Sequence, residues 1–309
     1  SLKAAFSLII SMFCSVSYAQ QITVDNTVSP QNLIENTLIQ GRVAVPNISS
    51  PVNGDVNGIG SFGYFEQNNS SFPFQNGIVL TTGNANSAGN TNNSETLNEG
   101  NTTWETDTDL ETALGITGTL NATSIEFDFI SISNTIAFNY ILASEEYFDN
   151  YPCLYSDGFA FLIREAGTTN PYVNIELIPG TAIPVNTNTI HPEIDGECAA
   201  ANEQFFAGYN VGGTNYNGRT TVLTATAAIQ PNVQYQIKLV IADQSDQNYD
   251  SAVFIQANSL GSTVDLGDDI LTCASNVLID ADMQSAQASY SWYLNNVLIA
   301  GANGPTYNA

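Results

Sequence analysis

Apolar and polar residues alternate with a period of two along several stretches of this chain. Over 124–130, Ile125, Phe127 and Phe129 are separated by Glu126 and Asp128. Tyr235, Ile237, Leu239 and Ile241 point one way, with Gln234, Gln236 and Lys238 among the residues between them. Ile136, Phe138, Tyr140 and Leu142 follow the same rhythm, as do Phe159, Phe161 and Ile163. Successive strand side chains point to opposite faces, so each run predicts a strand with one apolar face. Several such strands predict an all-β protein, an antiparallel β-sandwich of the jelly-roll kind. One stretch, Ser29 to Leu38, predicts a helix, with Ser29 as its cap and Pro30 in its first turn. The Asn/Ser/Thr/Gly tract from Asn84 to Thr103 shows no apolar face and predicts a long surface loop.

A domain boundary is expected near Leu260 to Ser262, dividing the chain into 1–19, 20–261 and 262–309. In the last part Leu278 and Ile279 predict a short strand, and Tyr290 to Leu294 alternates. Cys273 followed by a strand tryptophan, Trp292, is similar to the first half of an immunoglobulin-like sandwich. Forty-odd residues cannot close such a sandwich, so a partial Ig-like domain and a longer parent protein are expected.

The first residues bear on the compartment. Lys3 precedes an apolar run from Ala4 to Val16, and Ser17 and Ala19 then supply small residues at signal-peptidase positions. That order predicts a secretory signal peptide over 1–19, its run too short to span a bilayer. Phe13 precedes Cys14 where a lipoprotein site needs a small residue. All thirty Asp and Glu follow Ala19, against Arg42, Arg164, Arg219 and Lys238, a net charge of −26 for the part beyond the leader. Such a surface repels phosphate backbones and anionic membranes, which argues against a nucleic-acid partner or membrane insertion and favours divalent cations. Beyond the leader Cys153, Cys198 and Cys273 remain, and the first two are expected to form a disulfide in an oxidising compartment.

The stretch 138–147 (FNYILASEEY) resembles the core signature of the choice-of-anchor L domain of bacterial surface proteins. Segments in the same order agree: GIVLTTG at 77–83, IEFDF at 125–129, SDGFAF at 156–161, PGTAIP at 179–184, GRTTVLTA at 218–225, and IAD at 241–243 with YDS at 249–251. The likeness spans roughly 30–260. It implies a secreted or cell-surface protein whose anchor is carried by C-terminal sequence, with a downstream part similar to proteins exported by type IX secretion. It implies no catalytic residues. A shorter likeness, SDGFAF with Asp157, resembles the strand entry of legume-type lectins, where an aspartate binds sugar beside calcium.

Three candidate chemistries follow. Glu145, Glu146 and Asp157 flank one strand pair, while Asp243, Asp246 and Asp250 crowd a later loop. Calcium takes six to eight oxygens at about 2.3–2.6 Å, which loops at one end of a sandwich can supply, so these six acids are the expected Ca²⁺ ligands. The loop 243–250 is no EF-hand, because Asn248 stands where glycine belongs and Phe254 where the glutamate belongs. Second, Glu193, Asp195 and Glu197 have the E-x-D-x-E spacing of laminarinase-type glycoside hydrolases, whose alternate carboxylates share one strand face. Pro192 and Gly196 disfavour a regular strand there. Third, Phe62, Tyr64, Phe65, Phe72 and Phe74 offer a ligand platform or plain core packing, the latter being the usual role. His191 is the sole histidine, and no G-x-S-x-G, nucleotide-binding or zinc motif is present. The expectation is a non-catalytic adhesion or binding protein taking an extracellular glycan or surface protein. Calcium-dependent lectin-like binding is its sharper form, and a glycoside hydrolase the enzymatic rival.

Overall fold

The computed structural model describes residues 20–40, 43–93, 95–100, 104–261, 270, 276–281, 290–295 and 297–309. The expected signal peptide, Cys14 and Cys273 lie outside the described residues.

Among the described residues, two main antiparallel sheets are built from thirteen strands. In chain order these are β1 (Thr23–Asp25), β2 (Val43–Ala44), β3 (Phe62–Glu66), β4 (Asn76–Thr81), β5 (Thr119–Ser131), β6 (Thr135–Ser144) and β7 (Gly158–Glu165). There follow β8 (Val173–Asn174), β9 (Phe206–Tyr209), β10 (Gly218–Thr220), β11 (Leu223–Ala228), β12 (Gln234–Gln244) and β13 (Ser251–Gln256). The larger sheet runs β1-β3-β4-β13-β6-β10-β9, with β11 also paired to β6. The smaller sheet runs β2-β5-β12-β7-β8.

The alternating residues named above build the space between the sheets. Ile125, Phe127, Phe129, Phe159, Phe161, Ile237, Leu239 and Ile241 from one sheet meet Ile136, Phe138, Tyr140, Leu142, Val253 and Ile255 from the other. Ring centroids of Phe138 and Phe161 stand 5.5 Å apart and those of Tyr140 and Phe161 5.2 Å, so the two layers interlock through aromatic side chains. The outer faces are also covered. Phe65, Phe72 and Phe74 pack with Phe254, Ile141 and Val79 on the far side of the larger sheet. Phe62 joins the central core instead. The aromatic run is therefore packing. Leu110, from a helix α2 (Thr108–Leu114), covers Ala160, Leu162 and Val240 on the far side of the smaller sheet.

Four local expectations need amendment. The helix predicted at Ser29–Leu38 exists, and Ser29 Oγ accepts from Asn32 N at 3.3 Å. It is one α turn, α1 (Pro30–Asn32), continued as a wider π-type turn over Leu33–Leu38, with Leu33, Ile34, Thr37 and Leu38 buried. Helix α2 was not predicted, although its signals are present: Asp107 caps it by accepting from Leu110 N, and Gly115 ends it in the left-handed conformation. The tract from Asn84 to Thr103 is not simply a surface loop, because Ala85, Ala88 and Leu97 are buried in the outer core. Finally, strands predicted to have one apolar face are covered on both faces over much of their length, since the connecting segments fold back over the sheets.

In the C-terminal part Leu278–Asp280 pairs with Thr306–Asn308, and Tyr293–Leu294 with Val297–Leu298. Trp292 stacks on Tyr307 at 5.3 Å and donates to Gly304 O. Among the described residues no helix is long and apolar enough to cross a membrane.

Candidate functional site

Four strands bring the acids to one end of the two sheets. β6 runs out into Glu145 and Glu146, and Asp250 leads into β13, whose Ser251 pairs with Ser144. In the smaller sheet Asp157 precedes β7 and Asp243 lies near the end of β12, where Ala242 pairs with Gly158. A register shift between Ile241 and Asp243 accompanies the turn of Asp243 toward this end, as a bulge re-aims a side chain.

Side chains then tie the layers together. Asp157 accepts from Ser251 Oγ at 2.5 Å and from Gln244 N at 3.3 Å. Its own N–H donates to Glu146 Oε2 at 3.1 Å, which also accepts from Thr187 Oγ1 at 2.9 Å. Asn121, at a φ of 50°, donates its side-chain amide to Asp243 Oδ2 at 2.7 Å. The segment after Asn84 supplies backbone donors: Leu97 N to Glu145 Oε1 at 3.2 Å, and Glu99 N to Asp250 Oδ2 at 3.0 Å. Gly83 is required here, because a side chain on it would meet the Asp250 carboxylate.

Of the six expected acids, Glu145, Glu146, Asp157, Asp243 and Asp250 are buried, whereas Asp246 is exposed at the rim. Burial pushes Glu145 and Glu146 up to about 7 and Asp250 up to about 6, with neighbouring carboxylates adding to the rise. It raises Asp157 and Asp243 well above the usual carboxylate range, and each feels the charge of Glu146. The described basic side chains are engaged elsewhere. Lys238 is held by Asp107 and Asp109, Arg164 bonds Gln236, and Arg219 lies over the Phe72 ring. Glu145 Oε2, Asp243 Oδ1 and Asn121 Oδ1 are buried with no hydrogen-bond partner among the described residues. Among the described residues no three His, Cys, Asp or Glu side chains are arranged to hold a metal ion. The acids thus share a neighbourhood without forming a ready ligand cage, and a divalent ion here would have to draw on neutral oxygens such as Asn121 Oδ1.

Beside the outer acids opens a cavity of about 190 Å³, walled by Glu146, Asp157 and Asp246 and by Tyr151, Tyr155 and Tyr249. Tyr151 and Tyr249 meet hydroxyl to hydroxyl at 3.1 Å. The turn carrying Tyr151 and Tyr155 is fixed by the Cys153–Cys198 disulfide, Cα to Cα 5.8 Å, as expected from sequence. The tyrosines were missed as site residues; their crowding within a few positions of the acids was the signal. A larger cavity of about 490 Å³ opens at the opposite end, between β8 and β11. It is mostly apolar, its charged groups are Arg164 and Glu165, and it gathers no comparable chemistry.

The E-x-D-x-E run does not lie on a strand. Ile194 and Cys198 bridge across a tight turn, and Glu193, Asp195 and Glu197 are exposed around it. The shared strand face that spacing was read to imply is absent, because Gly196 at a φ of 78° turns the chain. His191 is buried with Nδ1 2.8 Å from Pro192 O, away from any described nucleophile–base pair.

The fold and site thus define a disulfide-pinned, mostly β domain of two antiparallel sheets with an acidic, tyrosine-edged end. The choice-of-anchor L domain model matches residues 21–261, and the chain belongs to that family. The match and the disulfide are consistent with an extracellular protein. No curated protein and no solved structure matches the chain.

Proposed function

We propose that this domain is a non-catalytic binding module of a secreted or cell-surface bacterial protein, which grips an extracellular glycan or surface protein at its acidic, tyrosine-edged end. One observation carries the reading: buried carboxylates that no described basic residue neutralises stand next to an open cavity whose other wall is tyrosine. Tyrosine offers a flat apolar face and a hydroxyl at low entropic cost, which suits sugar rings and protein side chains alike. Phe148 and Tyr155 add exposed aromatic surface along the same turn, at 53% and 48% exposure. Calcium fits as a supporting ion, with Asp243, Glu145 and Asn121 offering the unpartnered oxygens and Asp157 joining the ion's neighbourhood to the cavity. In this reading the two sheets form a jelly-roll of the lectin kind, residues 262–309 begin an Ig-like domain, and the anchor lies in further C-terminal sequence. The exposed turn at Glu193, Asp195 and Glu197 supports binding over hydrolysis.

The test is a glycan array and a bacterial-surface binding assay, each with calcium and with chelator. Binding should fall at least tenfold in Tyr249→Ala and Asp157→Asn while the fold persists. Undiminished binding in both variants would remove this end from the function. Turnover of a β-glucan that Glu193→Gln abolishes would replace the reading with hydrolysis.

A further inference from the structure

The cavity beside the outer acids measures about 190 Å³. Pockets for drug-sized ligands run to about 300–1,000 Å³, and a cavity of about 150 Å³ takes one benzene, so this one is sized for a single side chain and not for an oligosaccharide. Three carboxylates and three tyrosines stand in its wall, with no lysine, arginine or histidine among the described residues there. The tyrosine wall is folded rather than flat. Tyr151 meets Tyr155 at 5.6 Å and 80°, and Tyr249 at 4.9 Å and 54°. Crossed aromatic rings suit a compact cation, whose attraction to ring faces needs no shared plane. The wall is also set in advance: beside the disulfide, Asn188 Nδ2 donates to Pro152 O at 2.8 Å and to Tyr155 O at 2.7 Å.

The carboxylate oxygens narrow the cation further. Glu146 is 5% exposed and gives only one oxygen to the fold. Its Oε2 accepts from Asp157 N at 3.1 Å and Thr187 Oγ1 at 2.9 Å, while Oε1 has no donor among the described residues. Asp246 at the rim does the same, since its Oδ1 takes both bonds from Asn248. Both oxygens of Asp157 are engaged, by Gln244 N and Ser251 Oγ. The cavity thus presents single oxygens on separate carboxylates. A guanidinium forks onto the two oxygens of one carboxylate, whereas an ammonium is a point charge with three diverging donors.

We infer that the partner gripped at this end is a protein and that it enters the cavity with the side chain of a surface lysine, an inference that rests on the acidic, tyrosine-edged end being the binding site. The ammonium meets Glu146 Oε1 and the rim carboxylate of Asp246, and the aliphatic stem lies along the tyrosine rings. Two features outside the cavity favour a polypeptide over a free amine. Phe148 and Leu154 are exposed on the same turn and offer apolar contact to the chain around the lysine. The strongly negative net charge beyond the leader draws basic protein surfaces to this one.

The test titrates the full chain, at fixed calcium, with blocked glycine pentapeptides carrying one central guest residue, and reads the ring signals of labelled tyrosines. The lysine peptide should shift Tyr151 and Tyr249 to saturation. Its affinity should fall about tenfold or more when the lysine is Nε-acetylated or replaced by norleucine, and about threefold or more when arginine replaces it. These comparisons use the native protein and depend on no variant folding. Glu146→Gln keeps an acceptor oxygen for Thr187 and Asp157 and, its fold checked by circular dichroism, should weaken the lysine peptide about tenfold. Equal binding of the acetylated peptide, tighter binding of the arginine peptide or of glucosamine, or native-like binding by folded Glu146→Gln overturns the inference. If no lysine peptide binds while Tyr249→Ala still weakens attachment to glycans or bacterial surfaces, the lysine is overturned and the binding end stands. Attachment undiminished in both Tyr249→Ala and Asp157→Asn overturns both.

Discussion

Two regions of this domain bury charge, and they neutralise it in opposite ways. Under helix α2 a single ammonium, Lys238, is met by two carboxylates at 2.7 and 2.8 Å, so the pair is balanced within the chain. At the acidic end five buried carboxylates are met, among the described residues, by hydrogen-bond donors such as Leu97 N, Glu99 N, Thr187 Oγ1, Ser251 Oγ and the Asn121 amide, with no cation beside them. Dipoles offset part of the cost of a buried charge, but they do not cancel repulsion between like charges. Glu176 makes the point from a third place. It is fully buried yet alone, and Tyr140 Oη and Val185 N satisfy it at 3.0 Å each. One buried acid with two donors is a structural tie. Five that feel one another are a demand for protons or an outside cation, which is why the acidic end and not Glu176 is the candidate site.

The largest expected effect comes from breaking the balanced region. Lys238→Met leaves Asp107 buried beside the aliphatic chain that replaced its counter-charge, and stability should fall by about 3–5 kcal/mol. Chemical denaturation at neutral pH measures this, and a loss below about 1 kcal/mol would show that the pair is not balanced by burial.

The acidic end should respond to pH. Its folded-state carboxyls titrate above their unfolded values, Glu145 and Glu146 at about 7 and Asp250 at about 6. The folded state therefore holds protons that the unfolded state has released. That stabilisation is complete below the unfolded carboxylate range, about 4, and is lost as pH rises through 6 to 7. With chelator present, unfolding free energy should drop by a few kcal/mol, on the order of one per titrating group, between about pH 5 and pH 8. Millimolar calcium should flatten that slope. A stability that rises with pH over this range contradicts the arrangement, and a slope indifferent to calcium removes the ion from the reading.

A smaller effect sharpens the same contrast. Glu145→Gln keeps Oε1 for Leu97 N while deleting one of the mutually repelling charges. At about pH 8 without calcium it should stabilise the domain by about 1–2 kcal/mol, and at about pH 5 by much less. Destabilisation at both pH values would mean that the carboxylate has a partner inside the fold. The smallest effect is expected at Glu193, Asp195 and Glu197, which are exposed around their turn. Replacing all three by their amides should move thermal stability by no more than about 0.5 kcal/mol each, and a larger change would give that turn a structural role.

Much of the fold was legible because strands announce themselves by side-chain alternation. Ile125, Phe127 and Phe129, or Tyr140 and Leu142, could face a core only as strands, and they do. The disulfide was legible from compartment and count. The short helix α2 was not, since seven residues carry one buried apolar position, Leu110, and no period can be read from it. The segment after Asn84 was misread for a related reason. Its contribution to the site is made by backbone N–H groups at Leu97 and Glu99, which composition does not reveal. The E-x-D-x-E spacing misled in the opposite direction, because three acids at alternate positions share a face only if the chain is extended, and Gly196 bends it.

By itself, then, the sequence determined the class of fold, the family, the disulfide and the excess of negative charge, all of which follow from local patterns or simple counts. Only the tertiary structure decided that Glu145, Glu146, Asp157, Asp243 and Asp250 meet, that Asp246 stays at the rim, and that Lys238 lies between two aspartates more than a hundred positions away. The reason is geometric. Antiparallel pairing places the end of one strand beside the start of its neighbour, so residues far apart in the chain become neighbours through the order of strands in the sheets, and no local pattern encodes that order.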